Sequence, residues 1–280
     1  GAIAAGIARD EKRSLGKLSK LSGADSFRLQ GYTENLSAAF ADVPIDMMVD
    51  MAAETAPEQT ALIFRDTCMT LGTLKADSDA LAARLQAMGV QQKDHIGILC
   101  RRGPQLLTAM MAVLKLGCAY VPMLPSFPEK RLHEMMAVSG VKLTLCDSQT
   151  VQTPPNVPDV VFADIEQAVK DGQGQSLTLP ARRSGDDICF ILFTSGSTGQ
   201  PKGVMIRHQS IANLYAVMRQ KLPGENVGFL CTANAIFDIF ITETLLTLAM
   251  GNYIVMADED EMVLPWKCAQ LIRKHHVQAV

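Results

Sequence analysis

The chain has 280 residues, 48% hydrophobic and 20% charged, with a formal net charge of −3 from 26 Lys+Arg against 29 Asp+Glu. That length buries a sizeable core, as one large α/β domain or two smaller ones, and the composition is ordinary for a globular protein. The near-neutral balance gives no support to nucleic acid or an anionic membrane as the main partner.

Residues 1–45 are weakly patterned and rich in Ala, Gly, Ser and Lys, which reads as a linker ahead of a folded portion over 46–280. The apolar part of "GAIAAGIARDEKR" precedes its charges, the reverse of a secretory signal. The longest apolar stretch, Leu106 to Leu124, is interrupted by Lys115, Gly117 and Pro122, so no membrane span is expected. The chain opens on Gly1 and stops at "HHVQAV", within its own pattern, and is expected to be part of something longer. Seven cysteines lie singly, several inside apolar runs and none in a CxxC pair, consistent with buried reduced thiols in a cytoplasmic protein.

From about residue 60, strand-like runs recur: "ALIF" (61–64), "HIGILC" (95–100), "CAYVPM" (118–123), "VKLTLC" (141–146), "ICFILF" (188–193), "VGFLCTA" (227–233) and "NYIVMA" (252–257). Helix-like segments separate many of them. In "RHQSIANLYAVMRQKL" the residues Ile211, Leu214, Val217, Met218 and Leu222 recur at helical spacing. Continuously apolar strands alternating with helices predict an α/β fold of layered, mostly parallel sheets flanked by helices. Residues 150–184, with "TPPNVP" and "DGQGQ", read as a looser connection.

The stretch "TSGSTGQPKG" follows "ICFILF" and precedes the helix near His208. In α/β folds ligands gather at the carboxyl ends of strands. Backbone N–H groups of a Gly-rich turn, helped by Ser and Thr hydroxyls, can cradle phosphate oxygens. Lys202 supplies a mobile cation. The common P-loop spacing fails, because Pro201 and Gly203 stand where Gly and Ser or Thr are required. A flexible Gly/Ser linker is the plain alternative; the single occurrence, the embedded Pro-Lys-Gly and the flanking apolar run weigh against it.

"FTSGSTGQPKGV" resembles the signature phosphate loop of the adenylate-forming superfamily, which includes acyl- and aryl-CoA ligases, luciferases and the adenylation domains of nonribosomal peptide synthetases. "RHQSIANL" is similar to the family through His208, Ile211, Asn213 and Leu214. "VLKLGCAYVPMLPSFPEKR" (113–131) and "MTLGTLKADSDALAARLQAMGVQQKDHIGI" (69–98) resemble the peptide-synthetase branch, although Leu124 replaces an acidic residue and Leu71 a Tyr. "SLGKLSKLSGAD" (14–25) is similar to a linker arriving from a condensation domain. The likeness implies the large N-terminal subdomain of an adenylation domain, incomplete at its C-terminus.

It further implies ATP and Mg2+ at Thr194, Ser195, Gly196, Ser197, Thr198, Gly199 and Lys202. An amino-acid substrate and a carrier domain bearing phosphopantetheine are implied as well, with a condensation domain as a further partner. Asp238, in "NAIFDIFITETLL", matches the carboxylate that binds the substrate's ammonium group, and Ile239 and Thr242 match side-chain pocket positions. Held between Phe237 and Phe240, that carboxylate is expected to be poorly solvated and suited to a cation. Asp238 also reads as a helix N-cap, and both roles are compatible. The family's catalytic lysine is expected downstream, leaving these 280 residues inactive alone. The alternatives are an acyl- or aryl-CoA ligase, which has no ammonium to bind, and a non-catalytic half-domain.

His95, His133, His275 and His276 read as surface or satisfied histidines rather than metal ligands, "DEDE" (258–261) as a solvated turn, and Met110, Met111, Met135 and Met136 as core filler.

Overall fold

The computed structural model describes residues 43–180, 184–195, 201–221 and 224–279. The expected linker over 1–45 therefore lies outside the described residues, apart from its last three. Helix α1 (Ile45–Thr55) begins at its end, with Ile45 already buried.

Two mostly parallel sheets carry the fold. The larger runs β6 (Val161–Asp164), β5 (Leu143–Cys146), β3 (His95–Leu99), β4 (Ala119–Met123), β7 (Ile188–Ser195) and β8 (Pro201–Arg207). Its pairs are parallel except β7 with β8. The smaller runs β2 (Thr67–Thr70), β1 (Thr60–Phe64), β10 (Tyr253–Met256) and β9 (Gly228–Cys231), with only β1–β2 antiparallel. All seven expected strands are present. β4 and β5 are buried along their whole length, as strands covered on both faces must be.

Helix α2 (Leu71–Ala87) starts on Thr70, whose hydroxyl accepts the Thr73 N–H at 3.1 Å. Leu71, where the family has Tyr, is 1% exposed and belongs to the core. Every residue of helix α3 (Pro104–Lys115) from Leu106 onward is buried, the signature of a helix enclosed on all sides. Met110, Met111, Met135 and Met136 are core residues, as expected. Lys115 ends α3 fully buried, paired with Asp50 at 2.9 Å and with Asp79, which also binds Lys75 at 2.8 Å. Burial pushes the Asp50 carboxyl up despite Lys115. Burial acts the same way on Asp79, but hydrogen bonds from Lys115 and Lys75 outweigh it and hold that carboxyl below its ordinary value.

Three strands went unforeseen. β2 and β6 are four residues each, too short to show a period, with β2 half polar and β6 ending on Asp164, and β8 opens on Pro-Lys-Gly. The connection over 150–184 is correspondingly firmer than expected: β6 pairs with β5, and helix α5 (Ile165–Gly172) packs on α2, where Gly172 approaches the Ala80 carbonyl too closely for a side chain. (Helix α4, Glu129–Ser139, precedes β5.) The acidic run is no turn but the start of a helix, Glu259–Val263, closed by a reciprocal capping box between Asp258 and Glu261. All seven cysteines are free; five are buried, Cys268 is half-buried and Cys68 is exposed. Among the described residues, no helix is long and apolar enough to cross a membrane.

Candidate functional site

The strands on either side of the Gly-rich stretch pair with each other, so it joins two adjacent strands rather than a strand and a helix. β7 and β8 pair antiparallel from Ile188↔Arg207 up to Thr194↔Lys202 and Ser195↔Pro201, so residues 196–200 connect adjacent strands. The helix foreseen near His208 does start there, as α6 (His208–Lys221), at the far end of β8. Seven residues of strand separate its N-terminus from that connection, roughly 20 Å. The dipole of α6 therefore cannot serve an anion bound at the connection over 196–200. The sequence concealed this because a Pro-Lys-Gly start is poor strand material, tolerated at a sheet edge, where β8 lies. Gly196, Ser197, Thr198 and Gly199 lie outside the described residues. Of the flanking candidates, Thr194 and Lys202 face each other in the ladder, and both are exposed. The expected helical face of α6 is only partly realised: Ile211 is buried, Val217 and Met218 half-buried, and Leu214 exposed.

Asp238, Ile239 and Thr242 share one short helix, α7, which opens as a single turn (Ile239–Ile241), widens into a π-helical segment (Thr242–Leu246) and closes with another turn (Thr247–Ala249). Asp238 caps it, its Oδ1 accepting the Ile239 N–H at 2.9 Å. The expectation of a poorly solvated carboxylate is not met. Asp238 is exposed, Phe237 is 56% exposed and Ile239 49%, while Phe240 turns inward to the core. A helix start directs consecutive side chains about 100° apart, so flanking aromatics in sequence do not enclose the residue between them. Thr242 is half-buried, and its carbonyl accepts the Thr247 hydroxyl at 2.9 Å across the widened turn.

Two residues that sequence reasoning missed hold the approach to this helix. Arg102, just past the end of β3 and 9% exposed, donates to the carbonyls of Cys231 and Ala257 at 2.7 Å each and to that of Ala233. From α7, Glu243 accepts the N–H groups of Thr232 at 2.9 Å and Ala233 at 2.8 Å through one carboxylate oxygen. Cys231 lies beside both, and its thiol, pushed by burial up to about 12, stays neutral. Neighbouring Arg101 pairs with Asp147 at 2.7 Å. Burial alone would raise the Asp147 carboxyl, but Arg101 and the Thr150 hydroxyl and N–H hold it well below the ordinary carboxylate range.

A cavity of about 470 Å³ opens at the carboxyl ends of β3 and β5, lined by Leu99, Arg101, Phe127, Glu129 and Thr150 among others; among the described residues, none of the expected site residues lines it. Among the described residues, no three His, Cys, Asp or Glu side chains converge to hold a metal ion. His95 Nδ1 lies 2.7 Å from the Ser139 carbonyl.

A family model described as AMP-binding enzyme matches residues 49–280. Bacitracin synthase 3 of Bacillus licheniformis is 30% identical over 253 residues, covering 89% of this chain and 4% of that protein. Tyrocidine synthase 3 of Brevibacillus parabrevis is 32% identical over 223 residues, covering 77% and 3%. Among solved structures, the N-terminal subdomain of Klebsiella oxytoca NpsA in complex with 3-hydroxybenzoyl-AMSN superposes with a TM-score of 0.72 at 27% identity, over 84% of this chain and 58% of that one. An artificially fused adenylation–PCP di-domain, NpsA-ThdA, gives 0.76 at 27%, over 86% and 48%. The chain thus spans a few per cent of the curated relatives' length and about half of these structures.

Proposed function

The chain belongs to the AMP-binding enzyme family, and on that premise we propose that it is the N-terminal portion of an adenylation domain that activates an amino acid with ATP for loading onto a carrier domain. The triphosphate of ATP would rest on the connection between β7 and β8, with Lys202 and Thr194 at its flanks and Ser195, Gly196, Ser197, Thr198 and Gly199 supplying donors. Asp238 would hold the substrate's ammonium group, leaving its carboxylate free to attack the α-phosphorus. A C–O–P bond forms as the bond to pyrophosphate breaks, giving the aminoacyl-adenylate. The protein's part in such a step is positioning and neutralising charge. Mg2+ would arrive with the phosphates and supply further neutralisation.

The carrier's phosphopantetheine thiol would then take the aminoacyl group as a thioester, the acyl C–O bond to the phosphate breaking as AMP leaves. The fused adenylation–PCP structure among the relatives supports that partner. A condensation domain ahead of residue 46 rests on the likeness of residues 14–25 alone.

The observation that carries the amino-acid reading is the exposed carboxylate of Asp238 at the head of α7, adjoining Ile239. A second reading, activation of an aryl acid, is favoured by the 3-hydroxybenzoyl compound bound by the NpsA relative. Pyrophosphate exchange by the full-length protein, run on the proteinogenic amino acids and on aryl and fatty acids, separates them. Exchange driven by an amino acid and lost by about 100-fold or more in Asp238→Ala is expected. Exchange only with acids lacking an α-amine, unaffected by that substitution, overturns the amino-acid reading.

A further inference from the structure

We infer that Glu243 and Arg102 are positioning residues for Asp238: they fix the backbone loop that aims its carboxylate at the substrate's ammonium group. The inference rests on the amino-acid reading above. Asp238 lies midway in sequence between Ala233 and Glu243. The two hydrogen bonds that Glu243 accepts from the Thr232 and Ala233 N–H groups therefore close residues 233–243 into a loop, clamped at its base with Asp238 at its apex. Within the loop a tight turn, the Phe237 N–H donating to the Asn234 carbonyl at 3.0 Å, leads directly to the Asp. Among the described residues the apex carboxylate is bound only at its own helix start, so its aim depends on the clamp.

Arg102 anchors the same base from the other side. It reaches from the end of β3, in the larger sheet, to carbonyls at or just past the ends of β9 and β10, in the smaller one. The base of the loop is thereby referenced to both sheets. The two charges divide the work chemically, since of the two backbone groups a guanidinium can serve only the carbonyl and a carboxylate only the N–H. Both kinds of hydrogen bond are charge-assisted and stronger than neutral ones. The π-helical widening of α7 falls at Glu243 itself, a distortion often retained where a side chain must be re-aimed.

The test is steady-state pyrophosphate exchange by the full-length protein, using ATP and whichever amino acid drives the strongest exchange. Glu243→Ala is expected to raise KM for the amino acid by about tenfold or more while KM for ATP stays within about twofold. Glu243→Gln, whose amide oxygen still accepts both N–H groups, should stay within about threefold of wild type. A structural defect alone lowers the active fraction and leaves both KM values unmoved. If Glu243→Ala does not fold, Glu243→Asp, a methylene too short for the clamp, carries the same expectation. An unchanged amino-acid KM, an equal rise in both KM values, or a Glu243→Gln as damaging as Glu243→Ala overturns the inference. If Asp238→Ala leaves exchange intact, or no amino acid drives it, the amino-acid reading falls first, whatever the Glu243 variants do.

Discussion

The hairpin of β7 and β8 and the segment from Cys231 to Thr242 carry the two halves of the candidate site, and they are held by opposite means. The hairpin is a ladder, its register running from Ile188↔Arg207 to Ser195↔Pro201 through backbone pairing. The segment has no ladder past Cys231 among the described residues; local turns pair its apex, and at its base Arg102 and Glu243 hold the backbone groups of residues 231–233. A ladder spreads its stabilisation over many small bonds, so no one side chain is decisive. A side-chain clamp concentrates it in two residues and fails when either is lost.

The sharpest way to break this contrast is Arg102→Met, which takes the guanidinium from the Ala257, Ala233 and Cys231 carbonyls, of which Cys231 keeps the Ala257 N–H at 3.0 Å. It should lower stability by about 3 kcal/mol in urea unfolding. A loss under about 1 kcal/mol would mean that the segment has other support. On the hairpin side, Lys202→Ala should lower kcat/KM for ATP by about 100-fold, equivalent to about 2.7 kcal/mol. Its melting temperature should not change, because Lys202 is exposed and the ladder is backbone. Coupled losses of activity and stability there would contradict the assignment of stability to the ladder.

A smaller effect is expected beside Arg102. Asp147 is nearly buried, and its folded value lies below its unfolded one, so its stabilisation is full above the ordinary carboxylate value near pH 4 and fades as pH falls through the folded value. Asp147→Asn should cost about 2 kcal/mol at pH 7, with the gap to wild type closing in strong acid. The pH dependence of urea midpoints checks both sign and window. A gap that widened in acid would refute the linkage. Smallest of all, Val204→Thr on the exposed face of β8 should change stability by less than about 0.5 kcal/mol, because the side chain is 43% exposed and the ladder is unaffected.

How much of this was legible in sequence differs between the two regions for the same reason. The β7 run "ICFILF" announces a buried strand because burial on both faces selects a continuous apolar run. β8, an edge strand with an exposed middle, is under no such selection and reads as loop. Asp238 was legible as a cap and, through resemblance, as an ammonium ligand. Its exposure was not, because which way Phe237 and Phe240 turn depends on the helix register, and the core claims only Phe240. Arg102 and Glu243 were invisible as a pair, since a residue at 102 and one at 243 share no local pattern.

The sequence by itself determined the alternation of buried strands and helices, the methionine-rich core and the family. Each is written in local periodicity or in an unbroken motif, where neighbours along the chain are also neighbours in space. Tertiary structure alone decided that the strands flanking the Gly-rich stretch pair with each other, that Lys115 is buried between Asp50 and Asp79, and that Arg102 and Glu243 grip one loop. These depend on side chains brought together from distant parts of the chain. A charge can be buried only where folding delivers its partner, and one-dimensional spacing does not encode that meeting.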